Sequence, residues 1–66
     1  MKIDVDKMKR LLVMNGMTGK DLAVSIGVST TAVYKVLHGQ SQPKPATLKR
    51  MCETLKCDPD ELVKEW

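Results

Sequence analysis

The feature that most constrains this chain is Gly27, which separates two short stretches whose apolar residues recur at helical spacing. In the first stretch, Leu22, Ala23 and Ile26 fall on one face of a helix. This spacing predicts a helix from about Gly19 to Ile26, which Thr18 begins and which Asp21, three residues later, supports as in a capping box. Glycine adopts the left-handed backbone conformation without strain, so Gly27 is expected to end that helix and turn the chain.

The second stretch begins at Ser29, a residue whose side-chain oxygen can cap the start of a new helix. Val33, Val36 and Leu37 then recur as on the inward face of a helix, and Gly39 follows where that helix is expected to end. Together the two stretches predict a pair of short helices joined by a tight turn, over about residues 18–39.

This pair is similar to the helix-turn-helix unit of the lambda repressor/Cro-like (Xre) family of bacterial and phage DNA-binding proteins. That unit has a small residue in its first helix and a glycine four residues later, the places of Ala23 and Gly27 here. The alternative is a helical hairpin that packs for its own stability alone. The resemblance extends over about residues 5–63, and its apolar positions hold Leu22, Ile26, Val28, Val33 and Val36.

Amphipathic stretches on both sides of the pair predict two longer helices. Asp4 is expected to cap the first of them, and Pro45 fits the first position of the other. Lys56 stands where the family usually has a glycine, so we expect mild strain in the turn after this fourth helix. The inward stripe of the first helix would be Val5, Met8, Leu11 and Leu12, with Asn15 a candidate to extend it, and that of the fourth would be Leu48, Met51, Cys52 and Leu55.

A fifth helix is predicted to start at Asp58, because an N-cap, a first-turn proline and an acidic third residue follow in a row. Leu62, Val63 and Trp66 are expected to form its apolar side. Five helices joined by short loops leave no room for a sheet. We therefore expect one all-α domain over residues 1–66, a compact five-helix lambda-repressor-like fold whose second and third helices form the helix-turn-helix.

The size and composition of the chain limit its class. At 66 residues it is near the lower limit for burying a self-sufficient core, and with no Phe the core must be aliphatic and Met-rich. No apolar run approaches the roughly 18 residues of a membrane-spanning helix, and residues 1–4 do not begin a signal peptide. The protein is expected in the cytoplasm, without membrane contact.

Metal, cofactor and catalytic sites are not indicated by the sequence. Two cysteines and the single histidine, His38, cannot supply the four ligands of a structural zinc site. Cys52 and Cys57 are interpreted as reduced thiols that pack like small hydrophobic residues. The acidic residues stand mostly at helix starts, where capping explains them. We expect no enzyme activity, no cofactor and no small-molecule ligand.

The outward face of the third helix is the expected site of base contacts. In helix-turn-helix docking, the N-terminal end of this helix enters the major groove. Threonine presents a hydroxyl and a methyl to base edges, lysine can donate to guanine, and the tyrosine can reach a base or a phosphate. A polar face that is merely solvated is the alternative. The expected base contacts are Thr30, Thr31, Tyr34 and Lys35.

Phosphate contacts are expected around this helix, and the net charge of +3 is compatible with a polyanion as partner. The family usually has a phosphate-gripping glutamine at position 19. Here only the backbone N–H groups, the helix dipole and Lys20 can act there. His38 can equally be an ordinary helix-end residue. The expected phosphate contacts are Gly19, Lys20, Ser29, His38, Gln40, Gln42 and Lys44.

A second departure from the family lies in the core. The family often pairs an arginine late in the first helix with a glutamate near the end of the third. Those places here hold Leu12 and Leu37. Because losing both charges leaves no buried ion without a partner, we predict that an apolar contact replaces the ion pair.

The resemblance implies double-stranded DNA as the partner and a homodimer on a two-fold-symmetric site, since one domain reads few base pairs. Leu62, Val63 and Trp66 are the candidates for the dimer interface. Alternatively, Trp66 folds back on the first helix. The expected function is a small transcriptional regulator, a repressor that binds a pseudo-palindromic operator. The alternative is an antitoxin-like or partner-docking protein interaction module with little or no DNA binding.

Overall fold

The computed structural model describes all residues, 1–66, and contains five helices with a short strand at each end. The expected five-helix fold is confirmed. None of the helices is long and apolar enough to cross a membrane. The elements are β1 Lys2–Ile3, α1 Val5–Met14, α2 Gly19–Ile26, α3 Thr30–Leu37, α4 Pro45–Leu55, α5 Pro59–Leu62 and β2 Val63–Glu65.

Side-chain caps define the starts of the first three helices, as their sequences predict. Asp4 Oδ1 accepts from the Lys7 N–H at 3.0 Å at the start of α1. Ser29 Oγ accepts from the Ala32 N–H at 3.1 Å at the start of α3. These bonds satisfy N–H groups that have no partner within the helix, so each helix begins at a fixed residue.

One apolar cluster joins all five helices, with α2 packed against both α3 and α4. Met8, Leu22 and Leu62 are completely buried within it. The stripe predicted for α4 is buried in full, whereas in that of α1 Val5 and Asn15 are only half-buried. Leu12 and Leu37 are also buried, as an apolar contact in place of an ion pair requires.

The expectation that the chain contains no sheet is wrong. β1 and β2 pair in antiparallel orientation, with Ile3 opposite Val63. The Asp4 N–H donates to the Leu62 carbonyl at 2.9 Å, where the strands meet the helices. Both Ile3 and Val63 are buried, so the pair joins the two ends of the chain and adds apolar area to the core.

The predicted length of the fifth helix is also wrong. It ends at Leu62, and Val63 already has an extended backbone with φ −96° and ψ 121°. A single helical turn forms few internal hydrogen bonds, whereas the extended backbone gains a partner strand. Trp66 therefore lies beyond the helix. It is also 69% exposed, so it does not complete the core against α1.

Candidate nucleic-acid interface

The start of α2 is held by a reciprocal pair of capping bonds. The Asp21 N–H donates to Thr18 Oγ1 at 3.1 Å, and the Thr18 N–H donates to Asp21 Oδ2 at 2.8 Å. The backbone hydrogen bond from Thr18, followed by its side-chain bond, lowers the pKa of Asp21 below its ordinary value. The carboxylate is therefore charged at neutral pH and fixes the first turn of α2, next to Gly19 and Lys20.

The turn between α2 and α3 is built as the sequence predicts. Gly27 adopts the left-handed conformation with φ 74° and ψ 32°. The Val28 N–H donates to the Ala23 carbonyl at 3.0 Å, which closes the end of α2. Val28 packs against the core, so the turn sets α3 at a fixed angle to α2.

Arg50 on α4 is a supporting residue that the sequence did not reveal. Its Nη1 donates to the Ile26 carbonyl at 3.2 Å, at the last residue of α2. This carbonyl has no partner within the helix, and a cation near a helix C-terminus also interacts favourably with the helix dipole. Arg50 thereby ties the turn to α4. In the sequence, Arg50 looks like any other basic residue on the exposed face of a helix.

The third helix separates cleanly into an inward and an outward face. Val33, Val36 and Leu37 are buried. The four residues expected to contact bases, Thr30, Thr31, Tyr34 and Lys35, all belong to the exposed residues of α3. Their hydroxyl and ammonium groups are therefore available to an external partner.

The residues expected to contact phosphate surround this face but differ in what they offer. Lys20, Ser29, His38, Gln40 and Lys44 are exposed. The Ser29 hydroxyl oxygen already accepts its capping bond, while its proton remains free to donate. Gly19, in contrast, is buried beneath neighbouring side chains.

Gln42 has a structural role that the sequence did not indicate. Its Oε1 accepts from the Ile3 N–H at 2.9 Å, although the two residues are 39 positions apart. This bond attaches the loop after α3 to strand β1. The side-chain N–H₂ of Gln42 remains a donor for phosphate.

The residues considered for the dimer interface do not form one exposed surface. Leu62 is completely buried and Val63 is 7% exposed, so the monomer core already occupies their side chains. Trp66 alone presents a large apolar surface. A contact between two chains at this end would therefore depend mainly on the indole ring.

The thiols are packed together, as interpreted from the sequence. Cys52 is buried, Cys57 is half-buried and packs against the core, and both thiols are free. Burial raises the pKa of Cys52, and burial followed by the charge of Cys52 raises the pKa of Cys57 to about 12. Both thiols are therefore protonated at neutral pH. No group of three or more potential ligand side chains is suitably placed to hold a metal ion.

Comparisons with known proteins agree with this geometry. The model of the helix-turn-helix family HTH_3 matches residues 8–62. The restriction-modification controller protein C.AhdI from Aeromonas hydrophila has a similar structure, with a TM-score of 0.78, 21% identity and 86% of each chain covered. That likeness shows a shared fold. No curated protein matches the chain. The family match spans most of the sequence, and the chain therefore belongs to the helix-turn-helix family HTH_3, the lambda repressor/Cro-like (Xre) group of DNA-binding regulators.

Proposed function

We propose that this protein is a sequence-specific transcriptional repressor that binds double-stranded DNA through the major groove. The observation that carries the proposal is the outward face of α3, defined here as Thr30, Thr31, Tyr34 and Lys35, on a capped helix fixed by the glycine turn. Family membership supports DNA binding. Repression would follow from occupancy of an operator that RNA polymerase also needs.

The proposed mechanism divides the contacts by helix. The N-terminal tip of α3 reads base edges through the hydroxyls and methyls of Thr30 and Thr31, and Lys35 in the last turn of the helix adds its ammonium group. Residues at the start of α2 and in the loop after α3 contact phosphates and fix the register. A two-fold-symmetric dimer then reads half-sites about 34 Å apart.

Salt dependence tests this function directly. Few cations lie near the α3 face, so we expect about 2 to 4 ions released per subunit. Fluorescence anisotropy of a labelled random duplex, measured across several salt concentrations, gives this number from the log–log slope. An operator selected from a random library would then be bound more tightly than the random duplex.

A pair of charge-matched variants localises the contact. Lys35→Gln should weaken binding to both duplexes, while Lys9→Gln, which removes the same charge from an exposed position on α1, should leave binding nearly unchanged. Equal losses for the two variants would indicate attraction by net charge alone. No binding even at low salt would contradict the proposal.

A protein interaction module remains the second candidate, because apolar side chains stand free at the end of α1. Val13 is 78% exposed and Met14 is 79% exposed. Adjacent exposed apolar residues are typical of a surface that contacts another protein. A partner bound there would be retained at high salt, whereas DNA would be released.

A further inference from the structure

The first residue of α2 and the fifth residue of α3 are packed against each other. A Cβ atom at Gly19 would lie 3.0 Å from Tyr34 Cζ, 3.3 Å from Tyr34 Cε1 and 3.2 Å from Leu37 Cδ1. Distances this short between carbon atoms lie inside normal van der Waals contact, so a side chain here would push the Tyr34 ring and the Leu37 side chain back by a few tenths of an ångström. Gly19 is buried because the tyrosine ring lies on it.

This packing determines the direction of the tyrosine. Cζ carries the hydroxyl, and Cζ is the ring atom nearest to the position of the missing Cβ. The hydroxyl end of the ring therefore leans toward the start of α2. On its other side, the ring is 6.2 Å from the His38 ring between centroids, at an angle of 38°. Tyr34 is still 39% exposed, so part of the residue remains open to a partner.

The direction of the ring decides which part of the DNA it can meet. In helix-turn-helix docking the first helix of the unit crosses the DNA backbone, while the N-terminal tip of the second helix enters the groove. Thr30 and Thr31 occupy that tip. Tyr34 leans away from them, toward the helix that crosses the backbone.

We infer that Tyr34 contacts the sugar-phosphate backbone instead of a base, and that Gly19 is the residue that positions it. The inference rests on the proposed DNA-binding function and revises the base contact expected for Tyr34. A phenolic hydroxyl can donate to a phosphate oxygen whatever the sequence. Glycine at position 19 then favours binding because it leaves the ring in place, where a Cβ atom would push it back by a few tenths of an ångström.

The variant Tyr34→Phe tests the contact, since it removes the hydroxyl and keeps the ring on Gly19. A phosphate contact predicts that affinity falls by about two- to tenfold, the net effect of one hydrogen bond, by the same factor on a random duplex and on the selected operator. The base preference of the variant, measured by repeating the selection, should be unchanged. A loss confined to the operator, with altered preference at one base pair, would show a base contact and overturn the inference, as would no loss on either duplex.

A double-mutant cycle tests the positioning. Gly19→Ala should displace the ring slightly and weaken binding to both duplexes, but by no more than Tyr34→Phe does. In the Tyr34→Ala background the ring is gone, so adding Gly19→Ala should change affinity by less than about twofold. An undiminished loss in that background would mean that Gly19 acts without Tyr34. Ser25→Ala, at an exposed position of the same helix, is the control.

Folding and function are separated within the same experiment. Thermal melting of each variant ensures that binding is measured on folded protein, and a structural defect alone would not cancel in the cycle. If the unaltered protein binds neither duplex at low salt, the proposed function fails and this inference fails with it. If it binds both while the tyrosine and glycine variants bind equally well, only this inference fails.

Discussion

Two helices of this protein end in the same left-handed backbone conformation with very different residues. Gly27 follows α2 with φ 74° and ψ 32°, and Lys56 follows α4 with φ 57° and ψ 48°. The residue after each donates its N–H to a carbonyl near the helix end at 3.0 Å, Val28 to Ala23 and Cys57 to Cys52. Both turns therefore share this closing hydrogen bond, and only the first is also held by Arg50.

The difference shows what glycine contributes to such a turn. A Cβ at Gly27 would meet no atom within 4 Å, so the space around the residue does not require glycine. What glycine avoids is backbone strain, which a lysine in the same conformation must carry. The apolar residue after the turn, Val28 or Cys57, packs against the core in both cases. Hydrogen bonds and core packing thus impose the conformation, and glycine only lowers its cost.

The largest expected effect is at the first turn. Gly27→Ala introduces a Cβ into a left-handed conformation and should reduce the free energy of unfolding by about 1–2 kcal/mol. For a domain of this size, each 1 kcal/mol corresponds to a fall of about 4–8 °C in melting temperature. Thermal unfolding followed by circular dichroism measures this change.

The control for this substitution is Ser25→Ala, which adds a good helix former at an exposed position of α2 and should leave the melting temperature within a few degrees. If the Gly27→Ala variant melts at the same temperature as the unaltered protein, the cost attributed to the left-handed conformation is wrong. The two turns would then differ for another reason.

Local signals explain why so much of the fold could be predicted. The caps at Asp4, Thr18 and Ser29 and the stripes of α1 and α4 depend on residues three or four positions apart. The three caps and the α4 stripe are confirmed, and the α1 stripe is confirmed except at its half-buried ends, Val5 and Asn15. The sheet could not be predicted in this way. Strands of two and three residues are too short to show alternation, and their pairing joins opposite ends of the chain.

The candidate site shows the same difference between local features, which could be predicted, and long-range contacts, which could not. The exposed face of α3 follows from helical periodicity. The three contacts that shape its surroundings connect residues distant in sequence: Tyr34 on Gly19, Arg50 on the Ile26 carbonyl, and Gln42 on Ile3. Each depends on how the helices pack, which no local pattern specifies.

A smaller effect of opposite sign is expected at the second turn. Lys56→Gly should raise the free energy of unfolding by roughly 0.5–1 kcal/mol, because relief of left-handed strain outweighs the added entropy of the unfolded chain. Chemical denaturation at neutral pH measures the gain as a shift of the midpoint, provided that the free energy of unfolding falls with denaturant at the same slope in both proteins. The substitution Lys56→Gly makes the backbone of the second turn equivalent to that of the first.

Lys56→Ala separates strain from side-chain effects at this position. It removes the lysine side chain and its charge but retains the Cβ, so it should give no comparable gain. Stabilisation by both variants to the same extent would assign the effect to loss of the lysine side chain and not to the backbone, although loss of its charge beside Asp58 and Glu61 is itself expected to be slightly unfavourable. Stabilisation by glycine alone would confirm the role of the backbone.

The smallest effect at neutral pH is expected from the residue that follows the second turn. Cys57 has a pKa of about 12 in the folded protein because it is buried, against an ordinary value of 9.0. Since the folded state retains the proton to higher pH, the contribution of this thiol to stability is complete below pH 9.0 and declines as pH rises toward 12.

Cys57→Val gives the second turn the residue found in the first and removes this titration. The stability difference between the variant and the unaltered protein should therefore stay constant up to about pH 8 and shift in favour of the variant above pH 9.

Melting temperatures at pH 7 and pH 10, in the presence of a reducing agent, measure this shift. Cys52 also has a raised pKa through burial, so part of the alkaline loss persists in the variant. Parallel pH profiles for the two proteins would mean that Cys57 ionises equally easily in the folded and unfolded chain. The packing of Cys57 against Cys52 would then contribute less to the second turn than that of Val28 does to the first. Diverging profiles of stability against pH would show that both turns depend on a desolvated apolar residue. The thiol of Cys57 fills that role while it is protonated and loses it when it ionises.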